Sequence, residues 1–102
     1  EPVVKYMKDN FAYEITLSEL AEMLPMSEGQ FCRIFKQTMK MSPMQYLMRY
    51  RILQSCRLLQ DTDKKIGEIA NLSGFNNISY FNKVFLQTIG CTPREYRSTG
   101  NY

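Results

Sequence analysis

Residues 17–46 read LSELAEMLPMSEGQFCRIFKQTMKMSPMQY, and residues 66–96 read IGEIANLSGFNNISYFNKVFLQTIGCTPREY. Leu17, Glu19, Leu20 and Ala21 return 49 positions later as Ile66, Glu68, Ile69 and Ala70. Phe31, Ile34, Phe35, Gln37, Thr38, Pro43 and Tyr46 return 50 positions later as Phe81, Val84, Phe85, Gln87, Thr88, Pro93 and Tyr96. Each copy holds a short apolar helix pattern, a break and a longer amphipathic pattern, so a helix-turn-helix is written twice. The second copy has one extra residue between Ala70 and Phe81, where a turn is expected to absorb it without rotating either helix face. Two copies of one motif imply two readers of one long ligand.

Local capping signals set the boundaries. Thr16 with Glu19, and Ser27 with Gln30, have capping-box spacing, in which a hydroxyl and a side chain three residues on satisfy free backbone donors. Ser42 with Gln45 and Thr92 with Glu95 repeat the spacing and add Pro43 and Pro93 at the first helical position, where the missing N–H costs nothing. Asn77 stands where Ser27 stood and should cap its helix, while Gly74 suits the left-handed turn that ends the helix before it. The helix near Ile66 starts weakly, with Lys65 in the place of Thr16; Asp63 is the expected cap, a residue or two early. These signals predict helices over about 2–10, 17–24, 28–39, 43–60, 66–72, 78–89 and 93–98. The expected fold is all-α, with seven helices forming two helix-turn-helix subdomains, 1–42 and 61–102, joined by a long linker helix, 43–60. Eighteen helical residues span roughly 27 Å, and two reading helices on one face of B-form DNA sit about 34 Å apart.

Composition narrows the function. The chain has 102 residues, 44% of them hydrophobic, enough for a core but thin for two lobes unless they share a helix. No apolar run nears the roughly 20 residues that span a bilayer, and residues 1–10 lack a signal-peptide pattern, so a cytoplasmic, membrane-free protein is expected. Cys32, Cys56 and Cys91 are odd in number, and no histidine is present, so a disulfide framework, a zinc site and any other cofactor lack support. Without histidine, a glycine-rich phosphate loop or a clustered nucleophile and base, an enzyme is not expected. Positive charge gathers in the middle third, where Arg33, Lys36, Lys40, Arg49, Arg51 and Arg57 face Glu28 alone. Residues 1–26 are acidic on balance. Such asymmetry suits a polyanion-binding surface, although a solvated basic face looks the same.

On the helix over 28–39, Phe31, Ile34, Phe35 and Met39 fall at core spacing and leave Glu28, Gly29, Cys32, Arg33 and Lys36 outside. The helix over 78–89 turns Phe81, Val84, Phe85 and Ile89 inward and Ile78, Ser79, Asn82, Lys83 and Leu86 outward. An arginine on such a face grips guanine O6 and N7 bidentately; Arg33 is the leading base-contact candidate, and Lys83 holds the same slot in the second copy. Asn82 suits adenine, Ser79 several acceptors and Ile78 a thymine methyl, while Gly29 allows close approach. Ser27, Lys36, Lys40, Arg49, Arg51 and Asn77 form the candidate phosphate set. Bland alternatives exist: an exposed ion pair of Arg33 with Glu28 or Glu22, a filler role for Cys32, plain solvation for Lys36. At 100° per residue Arg49, Arg51 and Arg57 cannot share one face, so some are structural. Tyr46 and Tyr96 are expected to close the lobes.

From Leu17 to Arg97 the chain resembles the AraC/XylS family of bacterial transcription regulators. The resemblance rests on LSELAEMLPMSEGQFCRIFKQTMKMSPMQYLMRYRILQSCRLL followed by IGEIANLSGFNNISYFNKVFLQTIGCTPREYR, with GFNNISYFNKVF and TPREYR its most specific parts. It implies an all-helical domain whose two units bind successive major-groove segments of an asymmetric promoter site, often bending the DNA. On that pattern, the first unit's base contacts fall on Gly29, Cys32 and Arg33, the second's on Ile78, Ser79, Asn82 and Lys83. It also implies an effector-binding or dimerising portion N-terminal to this segment. Lys40 departs from the family's glycine, which Gly90 keeps, and predicts a strained or differently shaped turn. Leu86 replaces a basic residue, and Gly29 and Cys32 are unusually small. The reading is a sequence-specific, double-stranded-DNA-binding domain of a transcription activator. Its rival is a helical interaction module that docks on RNA polymerase through Leu86 and the acidic 1–26 segment.

Overall fold

Proline and capping side chains start all but one of the described helices where the sequence places them. The structure, a computed structural model, describes residues 2–99; Glu1 and residues 100–102 of the expected subdomains lie outside the described residues. It consists of α1 (Pro2–Asn10), α2 (Leu17–Glu22), α3 (Glu28–Met39), α4 (Pro43–Asp61), α5 (Ile66–Leu72), α6 (Ile78–Ile89) and α7 (Pro93–Thr99), with no strand among the described residues. Reciprocal capping boxes close on Thr16 and Glu19 at α2 and on Ser42 and Gln45 at α4. At α7 the Glu95 carboxylate accepts from the Thr92 N–H at 2.9 Å and Thr92 Oγ1 accepts from the Glu95 N–H at 3.1 Å.

Four local expectations are corrected. The Ser27 hydroxyl accepts from the Gln30 N–H at 3.2 Å, but among the described residues Gln30 returns no bond, so that box is half closed. Lys65, not Asp63, is the N-cap of α5 and offers no side-chain bond. The helix expected to run to 24 stops at Glu22, because Pro25 disfavours helical backbone at Leu24 and brings no N–H. Five residues separate the two helices of each motif, so the extra residue of the second copy lengthens α5 and leaves the turn unchanged.

The buried side chains gather in two clusters. Val3, Met7, Leu20, Phe31, Phe35 and Leu47 lead the first; Ile52, Leu59, Ile69, Phe75, Phe81 and Phe85 lead the second. Helix α4 serves both. Leu47 on its N-terminal half closes the first cluster, and Ile52, Cys56 and Leu59 on its C-terminal half close the second. Leu47 and Ile52 are fully buried, each contributing about 1.5–3 kcal/mol by area removed from water. In the first lobe α1 does what the C-terminal half of α4 does in the second: Val3 and Met7 lie 49 positions before Ile52 and Cys56. The aromatic packing repeats too. Phe31 meets Phe35 at 5.7 Å and Phe35 meets Tyr46 at 5.8 Å; Phe81 meets Phe85 at 5.7 Å and Phe85 meets Tyr96 at 5.7 Å.

Ile34 breaks the symmetry: expected in the core, it is 43% exposed. Its counterpart Val84 is half-buried and packs, like Met48 of α4, against the second cluster.

The turn after α3 takes the same shape as the turn after α6, at the cost of strain. Lys40 is left-handed (φ 67°, ψ 14°) and donates to the Lys36 carbonyl, as Gly90 (φ 99°, ψ 0°) donates to that of Leu86. A side chain in that region costs about 1–2 kcal/mol.

Candidate nucleic-acid interface

Each candidate reading helix is anchored on its inner side by two phenylalanines and started by a capping side chain. Ser27 Oγ holds the Gln30 N–H, and Asn77 Oδ1 holds the Tyr80 N–H at 2.9 Å. Both caps are exposed, and each retains a donor, the Ser27 hydroxyl proton and the Asn77 amide hydrogens, at a helix N-terminus suited to phosphate.

Arg33 and Lys83, 50 positions apart, are both exposed. Among the described residues the salt bridges are Lys5 to Asp9 at 2.8 Å and Lys64 to Glu68 at 3.7 Å. Arg33 is thus joined to neither Glu28 nor Glu22, which removes its competing structural explanation. Lys36, Lys40 and Arg49 are likewise exposed and outside those pairs. Gly29, Ser79, Asn82 and Ile78 lie exposed on the same two helices, while Cys32 is half-buried against the first cluster. The slot that presents an amide at Asn82 therefore shows only the edge of a thiol at Cys32.

Arg51 is the correction to the candidate phosphate set. It is 6% exposed, and its Nε and Nη2 donate to the carbonyls of Phe11 at 2.8 Å and Tyr13 at 2.9 Å. Burial pulls its pKa down from the usual arginine value, but the guanidinium stays charged and is spent on tethering the α1–α2 segment to α4. Arg97 acts similarly: its three nitrogens donate to Leu59 at 3.1 Å, Lys64 at 2.7 Å and Thr62 at 3.0 Å.

Arg94 is a residue that sequence reasoning missed. It is exposed and lines a recess of about 330 Å³ together with Ile66, Ile78, Asn82, Thr92 and Pro93. The only sequence signal was its place beside Pro93 in the α7 capping box, which fixes a helical turn but not what that turn faces. Burial pushes the Cys56 thiol up, leaving it a packing group. Among the described residues no group of three or more cysteines and carboxylates is placed to hold a metal, and no helix is long and apolar enough to cross a membrane.

A family model described as "Helix-turn-helix domain" matches residues 20–99. The transcriptional activator RhaR of Mannheimia succiniciproducens is 32% identical over 98 residues, which cover 96% of this chain and 36% of that protein. The chain spans about a third of the length of the curated relatives it matches, from 26% to 37%. The DNA-binding domain of the global transcriptional factor AdpA, solved in complex with a target DNA, superposes with a TM-score of 0.91 at 28% identity, covering 96% of this chain and 88% of that one. A transcriptional regulator with an AraC-type DNA-binding domain from Chromobacterium violaceum superposes with a TM-score of 0.89 at 28% identity, over 97% of this chain and 88% of that one.

Proposed function

Since this chain belongs to the AraC-type helix-turn-helix family, the DNA-binding domains of transcription regulators, we propose that α3 and α6 read successive major-groove segments of one asymmetric duplex site. The observation that carries this is the pair Arg33 and Lys83: two exposed cations outside any described ion pair, in one slot of two equivalently capped helices. Arg33 takes a guanine in the first half-site. Gly29 and the edge of Cys32 line its approach. Ile78, Ser79, Asn82 and Lys83 read the second half-site, with Asn82 on adenine. Lys36, Lys40 and Arg49 neutralise phosphates, and the caps Ser27 and Asn77 donate to them. A long dimension of 45 Å accommodates readers about 34 Å apart.

Salt titration of duplex binding tests the reading. Three phosphates neutralised by Lys36, Lys40 and Arg49 give a log–log slope near about −3 against salt; affinity independent of salt overturns it. In the longer regulator, an N-terminal effector-binding or dimerising portion would control this domain in the cytoplasm. Leu86, 48% exposed on α6, is the residue through which such an activator would touch RNA polymerase.

A further inference from the structure

A cavity of about 310 Å³ lies where the lobes meet, between the segment joining α1 to α2 and the second helix-turn-helix, and none of the candidate base contacts lines it. Glu14 reaches it from the first lobe, Arg51 from α4, and Asn71 and Asn76 from the second lobe, with the half-buried Met48 and the buried Phe75 as its apolar side. Arg51 is only 6% exposed, yet the carbonyls of Phe11 and Tyr13 take just its Nε and Nη2. Among the described residues the one fully buried polar side-chain atom without a partner is the Ser73 hydroxyl. Nη1 therefore still opens to solvent, and the cavity is the opening that Arg51 lines. Glu14 lines it too, but the two opposite charges do not meet. Neither belongs to a described salt bridge, so a gap is kept between guanidinium and carboxylate.

A lone anion in this cavity meets Glu14 as a like charge, and a lone cation meets Arg51, whereas a molecule carrying both charges satisfies both ends. We infer that the cavity at the lobe junction binds a free amino acid with an apolar side chain. Arg51 Nη1 donates to its carboxylate, and its ammonium donates to Glu14. The Asn71 and Asn76 amides, each both donor and acceptor, serve either group, and the ligand's side chain lies on Met48 and Phe75. A charge-assisted bond to a guanidinium already held in place is of the strong kind. The volume stands at the small end of ligand pockets, which suits one amino acid rather than a peptide or a nucleotide. Held from both lobes, the ligand ties the α1–α2 segment to the second motif across the junction that Arg51 spans.

Isotope-labelled free protein is titrated with each of the twenty standard L-amino acids up to about 10 mM, where a millimolar site is nearly filled, and the Arg51 Nε–Hε resonance is followed by NMR. At least one apolar amino acid is expected to move that resonance saturably, together with the backbone amides of Asn71 and Asn76. The matching carboxylic acid without the amine, and the matching amine without the carboxylate, should each bind about tenfold more weakly, the loss of one charge-assisted bond. Glu14→Gln, a change on an exposed side chain, should weaken the amino acid about tenfold and leave the carboxylic acid no weaker. No response of Arg51 to any of the twenty, equal binding of the amino acid and its singly charged analogues, or an unchanged affinity in Glu14→Gln overturns the assignment. DNA is absent from every measurement, so the result does not depend on how α3 and α6 meet a duplex.

Discussion

Gly74 lies so close to Arg51 that a Cβ on the glycine would stand 2.7 Å from the arginine Nε, and 2.5 Å from the Phe11 carbonyl oxygen that this Nε binds. One guanidinium therefore joins the α1–α2 segment, the shared helix α4 and the turn of the second motif. At φ +95° Gly74 is also in backbone that side chains rarely adopt. Gly74→Ala is expected to lose about 2 kcal/mol or more. Arg51→Met, which keeps the bulk but abandons two carbonyls, should lose about 2–3 kcal/mol. Urea unfolding measures both; midpoints equal to that of the unaltered protein would show that the contact tethers nothing.

Lys40 sets stability against binding. Replacing it with glycine removes left-handed strain at a site where the counterpart Gly90 has open space around it. Lys40→Gly should gain about 1 kcal/mol in unfolding free energy while its salt slope for DNA falls by about 1. Lower stability, or an unchanged slope, contradicts one or the other role.

The Glu19 carboxylate accepts the Thr16 N–H at 2.7 Å and the Tyr6 hydroxyl at 3.0 Å, and these bonds hold its pKa below the ordinary glutamate value, the backbone bond most. A lowered native pKa means stabilisation that is complete above the unfolded value and lost as pH falls through the native one. Glu19→Gln should therefore melt below the unaltered protein at about pH 7, with the gap closing as pH approaches about 2. A gap that is constant with pH contradicts the linkage.

Arg33 and Lys36 lie three residues apart but are assigned different work. Arg33→Ala should cost about 1–3 kcal/mol of binding and relax preference at one base pair, whereas Lys36→Ala should weaken all sequences alike and reduce the salt slope by about 1. Competition against duplexes altered at single guanines separates them; matching specificity profiles for the two variants count against the assignment.

Helix starts were legible because capping is local: Thr16, Ser42, Asn77 and Thr92 act within three residues of themselves. The two lobes were legible because Phe31, Phe35 and Tyr46 repeat as Phe81, Phe85 and Tyr96. What the sequence hid depends on distant partners. Periodicity shows that Arg49, Arg51 and Arg57 diverge around α4, but Arg51 is singled out only by carbonyls 40 and 38 residues away. Ile34 is exposed while its repeat partner Val84 packs against the cluster of its own lobe, a difference that no helical pattern encodes. The kinship of α1 with the end of α4 was masked because Val3 and Met7 match Ile52 and Cys56 in burial but not in residue type.

The claim that two helices read one DNA is met most directly by selecting binding sites from random duplexes with the unaltered protein, Arg33→Ala and Lys83→Ala. The account predicts one asymmetric motif of two half-sites about 10 base pairs apart, in which Arg33→Ala relaxes one base pair of the first half and Lys83→Ala one base pair of the second. Enrichment of a single short half-site, or relaxation within the same half in both variants, would contradict it.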